Sequence, residues 1–317
     1  MTIRKSPSPS PRPGPGRRLS PPLAACLALV FACTAKSGAG RPREFSGQRA
    51  FGYLEQQMAF GPRIPGTPAH ERTGDWILER LRATADTVIV QVMPHVTRKG
   101  QTLHLRNFLA RFRPSAPDHI LFLAHWDTRP HADQSQNLGQ QRLPVPGAND
   151  GASGVAVLLG VADALKAKAP ASGVDLLFVD GEDYGDFSTD TNDVLIGSRY
   201  FAAHQPPGYP PLYAVLFDMV ADKDQQFYYE ANSEAFAPEV VDRVWHVAAD
   251  LGYSHVFIPG VKHNLTDDHV ALQKAGIHAI DVVDFDYPYW HTTEDTIDKV
   301  SAASLQVVGD VAVALVR

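Results

Sequence analysis

Apolar residues along this chain follow two alternating rhythms. From Phe51 to Phe60 they recur at helical spacing, and Gly61-Pro62-Arg63-Ile64-Pro65-Gly66 breaks that pattern. Trp76 to Arg82 repeats the helical spacing, and Thr87 to Val92 reads as a strand. Asn107 to Phe112 and Ile120 to Ala124 are short apolar runs of the kind that buried strands make. Val155 to Leu165 then predicts a helix, Val174 to Val179 and Tyr213 to Phe217 predict strands, and Val240 to Leu251 a further helix. Ala279 to Val283 reads as a strand and Ala303 to Val316 as a closing helix. Strands alternating with helices predict an α/β fold, a mixed, mostly parallel central sheet with helices on both faces. In such sheets the ligand crevice lies beyond the carboxyl ends of the strands.

Charge and cysteine set the N-terminal segment apart. Residues 1–43 hold 8 Lys/Arg and no acid, whereas the chain from Glu44 onward has 21 basic against 35 acidic residues, a net −14. Both cysteines, Cys26 and Cys33, precede Glu44, so a thiolate metal site or an internal disulfide in the body is excluded. Residues 1–18 are rich in Pro, Ser and Arg, and Leu23 to Ala32 is an apolar run short for a membrane span. Residues 1–33 therefore read as a secretory leader and 34–43 as a polar tether, with 44–317 as one domain. Val30-Phe31-Ala32-Cys33 resembles a bacterial lipobox, with ordinary signal cleavage or a retained anchor as the alternatives. The expected location is accordingly the periplasm, free or held to the membrane by a lipid, with a monomer favoured. A body so acidic would repel phosphate backbones, which argues against nucleic acid as a partner and suits amine-bearing substrates.

Nearly every predicted strand runs into acids or histidines. Ile120 to Ala124 leads into His125-Trp126-Asp127, Val174 to Val179 into Asp180-Gly181-Glu182-Asp183, and Tyr213 to Phe217 into Asp218. Gly147-Ala148-Asn149-Asp150-Gly151 opens a helix, and Tyr289-Trp290-His291-Thr292 follows the last strand. The glycine-rich segment lacks the Gly-Lys-Ser/Thr ending of a phosphate cradle, and Asp150 would repel a phosphate. Imidazole and carboxylate without thiolate are the donors expected of a hydrolytic Zn²⁺ site with an open position.

HWD at 125–127, GANDGASGV at 147–155, DGED at 180–183, LFDMV at 216–220 and WHTTEDT at 290–296 resemble, in order, the motifs of the zinc aminopeptidase and glutaminyl cyclase superfamily. The resemblance covers about Phe60 to the C-terminus and implies a phosphorylase/hydrolase-like fold of zinc exopeptidase type. It implies that Asp150, Asp183 and His291 bind the principal zinc and that Glu182 is the general base and acid. His125 and Asp218 match the ligands of a second metal in the two-zinc aminopeptidases, with Asp127 orienting His125.

Within that superfamily three features resemble bacterial glutaminyl cyclases of the animal-like type. Asp183 follows Glu182 where two-zinc aminopeptidases usually have a second Glu. Thr266-Asp267-Asp268-His269 is similar to the cyclase segment whose second Asp, here Asp268, joins Glu182 and Asp218 in a carboxylate network. Trp290 precedes His291 as the cyclase pocket tryptophan does, and Trp126, Tyr184 and Phe187 are further candidates to wall the pocket. The implied reaction is zinc-dependent cyclisation of N-terminal glutamine in peptides or proteins, with one zinc. The alternative is a metallo-aminopeptidase with two.

Overall fold

The structure, a computed structural model, describes residues 43–188, 191–206 and 209–317. The leader and all but Arg43 of the tether lie outside these residues. Among the described residues no helix is long and apolar enough to cross a membrane.

The chain begins with helices α1 (Gly47–Phe60) and α2 (Pro68–Thr84). The Ser46 and Thr67 hydroxyls accept free N–H groups at their first turns, and Pro68 fits a position where no N–H is needed. Next come strands β1 (Thr87–Val96), β2 (Thr102–Phe112) and β3 (His119–His125), helix α3 (Ala152–Ala167), strand β4 (Gly173–Val179), helix α4 (Ile196–Ala203) and strand β5 (Tyr213–Asp218). Strand β6 (Phe227–Glu230), helices α5 (Ala231–Phe236) and α6 (Pro238–Asp250), strand β7 (Phe257–His263), helix α7 (Asp268–Lys274), strand β8 (Ala279–Val283) and helix α8 (Ala302–Ala314) complete the domain.

Six strands form one sheet in the order β1-β2-β4-β3-β5-β8. The β1/β2 and β2/β4 pairs are antiparallel, and β4/β3, β3/β5 and β5/β8 are parallel. Strands β6 and β7 pair separately. Side chains alternate across a strand, so each central strand feeds two cores. Phe122, Ala124, Phe178, Val215 and Phe217 meet α1, α3 and α8 on one face. Leu121, Leu123, Leu177, Val179 and Leu216 meet Phe201 of α4 and Leu272 of α7 on the other.

Helix α3 is buried almost all round, which is why its sequence shows little polar face. It lies so close to the sheet that a Cβ at Gly154 would stand 2.1 Å from the Phe217 carbonyl oxygen. This close seat puts the N-terminus of α3, and Asp150 before it, at the carboxyl edge of β3 and β5.

Three differences from the sequence reading have physical causes. Strand β1 runs through Pro94 to Val96, which a strand at the edge of a sheet tolerates. Strand β7 contains Pro259 and Gly260 and is largely exposed, so it lacks the alternation that marks a half-buried strand. Helices α4 and α7, of 8 and 7 residues, span about two turns each, too short for a periodic signal.

Candidate active site

Parallel register aligns the strand ends that carry the chemistry. His125 pairs with Val179, whose strand runs on into Asp180, Glu182 and Asp183, and Asp218 pairs with Val283. Asp150 reaches the same edge from the start of α3, where the helix dipole favours negative charge. His291 arrives from the loop after β8 with φ 53°, and Met219, next to Asp218, has φ 48°. Left-handed backbone at non-glycine residues costs energy, and here it occurs beside the clustered donors.

The donors form two triads that share Asp150. His125, Asp150 and Asp218 offer atoms within 4.8 Å of one another, and so do Asp150, Asp183 and His291. His125 Nε2 lies 3.0 Å from Asp150 Oδ1 and 3.3 Å from Asp218 Oδ1. His291 Nε2 lies 3.2 Å from Asp183 Oδ1 and 3.5 Å from Asp150 Oδ2. All five residues are buried. Asp183 Oδ2 has no hydrogen-bond partner among the described residues. Converging carboxylates and imidazoles, with a buried acceptor oxygen left over, fit a divalent cation of the zinc type.

Electrostatics point the same way. Burial disfavours the imidazolium of both histidines, yet the surrounding carboxylates outweigh it. Asp218, Asp127 and Asp150 hold His125 well above its ordinary range, and Asp183 with its neighbours pushes His291 up to about 9. A cation must therefore displace a proton from His291 at neutral pH, so its affinity rises as pH rises toward that value. Burial pushes the Glu182 carboxyl well above the carboxylate range, and the charges of Asp183, Asp267 and Asp268 add to the shift. Asp268, wholly buried, is raised to about 7, chiefly by burial. Neither of its oxygens has a close hydrogen-bond partner among the described residues, and the Ser198 hydroxyl offsets the rise only in part.

A cavity of about 760 Å³ opens onto this cluster. Asp150, Glu182, Asp218 and His291 line it, with Phe187 and Trp290 among the aromatic walls. Trp290 stacks on the His291 ring at 4.0 Å between centroids and packs against Phe285 at 4.8 Å.

Two aromatic residues lie elsewhere than expected. Trp126 is no pocket wall: it is fully buried, stacks on His70 at 4.2 Å and donates its indole N–H to the Arg106 carbonyl. Alternation explains this, because Trp126 follows His125 and faces the α1/α2/α3 core. Tyr184 turns away from the main cavity, packs with Ile196, Leu103 and Leu105, and lines a neighbouring cavity.

The supporting residues were harder to foresee. Asp127 does more than face His125, 3.5 Å from its Nδ1, because its two oxygens also accept the backbone N–H groups of Glu182 (3.1 Å) and Asp183 (3.2 Å). Asp295 accepts the N–H groups of Asn149 (2.8 Å) and Asp150 (3.1 Å) and the Tyr287 hydroxyl (2.7 Å). Arg63, fully buried, donates to the carbonyls of Trp126 (3.3 Å), Pro146 (3.0 Å), Gly147 (2.5 Å) and Asp150 (3.3 Å). Asp150 is thus held by its N–H from Asp295 and by its carbonyl from Arg63. Gly151 follows at φ 90°, where a Cβ would come within 2.6 Å of the Asp127 carbonyl oxygen.

Arg129 completes the shell, bonding Asp183 Oδ1 at 2.7 Å and Asp133 at 2.6 and 3.1 Å. Asp133 in turn lies 3.4 Å from His291 Nδ1. Asp295 sits inside WHTTEDT at 290–296 and Arg129 and Asp133 follow HWD within a few residues, but Arg63 had no signal beyond a cation set between glycines and prolines.

Known proteins are similar to this chain. A glutaminyl cyclase of Porphyromonas gingivalis is 37% identical, with 86% of this chain and 98% of that chain covered and a TM-score of 0.83. A Zn-dependent exopeptidase from Parabacteroides distasonis is 34% identical, with the same coverage and TM-score. Aminopeptidase YwaD of Bacillus subtilis is 26% identical over 215 residues, 63% of this chain, which spans only 41% of that relative's length. The profile of peptidase family M28 matches residues 107–316, from β2 through α8, and so includes both triads. The chain therefore belongs to peptidase family M28, a zinc-dependent superfamily whose solved members include exopeptidases and glutaminyl cyclases.

Proposed function

We propose that this enzyme converts the N-terminal glutamine of peptides or proteins to pyroglutamate and releases ammonia, with one zinc held by Asp150, Asp183 and His291. The observation that carries the reading is Asp268. It is fully buried with the Ser198 hydroxyl as a hydrogen-bonding neighbour, belongs to neither candidate metal group, and adds to the charge that raises the Glu182 carboxyl. A hydrolase that activates a water between two metals has no evident use for it.

The reaction joins the α-amine nitrogen to the γ-carbon of glutamine and breaks the bond from that carbon to the amide nitrogen. Zinc, when bound, supplies Lewis-acid polarisation of the γ-carbonyl. Glu182 takes a proton from the attacking amine and returns it to the departing ammonia, a task suited to a carboxyl raised above the ordinary carboxylate range. Asp218 and Asp268 hold that proton position electrostatically. Phe187 and Trp290 limit water around an attack that is intramolecular and needs none.

An aminopeptidase is the second reading, favoured by the convergence of His125, Asp150 and Asp218 on a second cation position. Metal analysis of the His125→Ala variant separates the two. The cyclase reading expects one zinc in wild type, retained in the variant with part of the rate lost. Two zinc ions falling to one would support the peptidase.

A further inference from the structure

Beside the main cavity lies a second of about 470 Å³, and both are bounded by Arg129, Asp133 and Asp186. The Arg129 guanidinium is fixed on one side by Asp183 and the Gly185 carbonyl (2.9 Å), and on the other by Asp133.

The opposite wall is the turn between β1 and β2, which carries Arg98 and Lys99. This turn is built in place. Asp193, buried, accepts the Arg98 N–H at 2.9 Å and bonds His95 Nε2 at 2.8 Å. The Tyr184 hydroxyl lies 3.2 Å from Gln101 Oε1 on the same turn. His131 lines the cavity from the segment that follows Arg129.

The charges around this cavity are unequal in availability. Its acids are engaged: Asp133 by Arg129, Asp193 by His95 and the Arg98 N–H, and Asp186 by Ser188 at 2.6 and 2.9 Å. The side chains of Lys99 and His131 have no ion pair or hydrogen bond among the described residues. Arg129 is engaged as well, by Asp133 and Asp183, so the basic side chains left to meet a ligand beside the candidate active site are Lys99 and His131.

We propose that the second cavity is a subsite for an acidic side chain at the third or fourth position of a peptide whose N-terminus occupies the main cavity. Lys99 and His131 are then its specificity-determining residues. An extended chain advances about 3.5 Å per residue, so a peptide leaving the reaction centre passes the rim of Arg129 within its first few residues. Lys99 and His131, which it meets there, favour carboxylate over ammonium. This inference rests on the reading that the substrate is a peptide N-terminus.

The test uses the zinc-loaded protein with Gln-Ala-Glu-Glu-Ala and Gln-Ala-Lys-Lys-Ala at low salt, measuring ammonia release. The ratio of the two KM values is compared between wild type and the Lys99→Gln/His131→Gln double variant. The Glu peptide is expected to have a KM about 3–10-fold lower in wild type, a difference that salt weakens and the double variant abolishes. Equal KM values, or a preference that the double variant keeps, would overturn the subsite while leaving the cyclase reading intact. Calorimetric binding of the same peptides separates the two ideas. A preference for Glu that depends on Lys99 and His131, found without ammonia release from either peptide, would keep the subsite and remove the cyclase reading.

Discussion

Glu182→Gln is expected to lower turnover by about 10²-fold or more while zinc stays bound. The substitution keeps the size and hydrogen-bonding capacity of the side chain but removes its ability to accept a proton. Glu182 belongs to neither metal triad, so its loss as a carboxylate leaves the donors in place. Asp183→Asn, one residue away, is expected to lose the metal, because Asp183 is a triad member with a free buried oxygen. The two residues present their backbone N–H groups to the same Asp127 carboxylate, so a purely structural role would make the variants alike. Kinetics with metal analysis on both proteins checks this. Equal zinc loss would mean that the two roles are wrongly divided.

A second large effect is expected at Arg63. Removing this guanidinium in Arg63→Met leaves four carbonyls, three of them on buried residues, short of a donor and a group of acids short of a cation. Burial lowers the Arg63 pKa to about 10, still far enough above neutrality for the side chain to be charged. Breaking a buried, hydrogen-bonded charge typically costs about 3–5 kcal/mol. For a domain of this size that is a fall in melting temperature of roughly 6–20 °C. Since Arg63 and Asp295 fix the backbone of the shared Asp150 from opposite sides, zinc affinity should fall about 10–100-fold as well. Arg63→Lys restores the charge but not the fork that reaches several carbonyls, so it should recover little of either loss. Calorimetric melting and zinc titration measure both effects. An Arg63→Met protein with unchanged melting and affinity would show that the loop around Asp150 does not depend on this contact.

The fold was legible where a strand is buried on both faces or a helix is long enough to repeat. Ile120 to Ala124 and Val174 to Val179 carry no polar residue but Asp175, and the structure extends each only by a residue or two. Strand β7 and helices α4 and α7 carried no comparable signal, because their form is set by contacts with the sheet rather than by local pattern. Residues of the site were legible where they end strands, since strand ends of a parallel sheet share one edge. Asp150, Asp183 and His291 meet there despite separations of more than a hundred residues between the last two.

Wall residues were less legible, because facing depends on the alternation of a strand that has just ended. Trp126 falls on the core side of β3 by that alternation, and Tyr184 is carried toward the β1/β2 turn. Arg63 was hidden for a different reason. Its hydrogen-bonded oxygens are backbone carbonyls of two separate segments, Trp126 and residues 146–150, and carbonyls leave no trace in side-chain chemistry.

Mass analysis of a Gln-initiated peptide after incubation with the purified, zinc-loaded protein tests the central claim most directly. The account predicts loss of one ammonia from an otherwise intact peptide, abolished when Glu182 is replaced by Gln. Release of the first residue as a free amino acid, with Leu- or Ala-initiated peptides shortened in the same way, would contradict it.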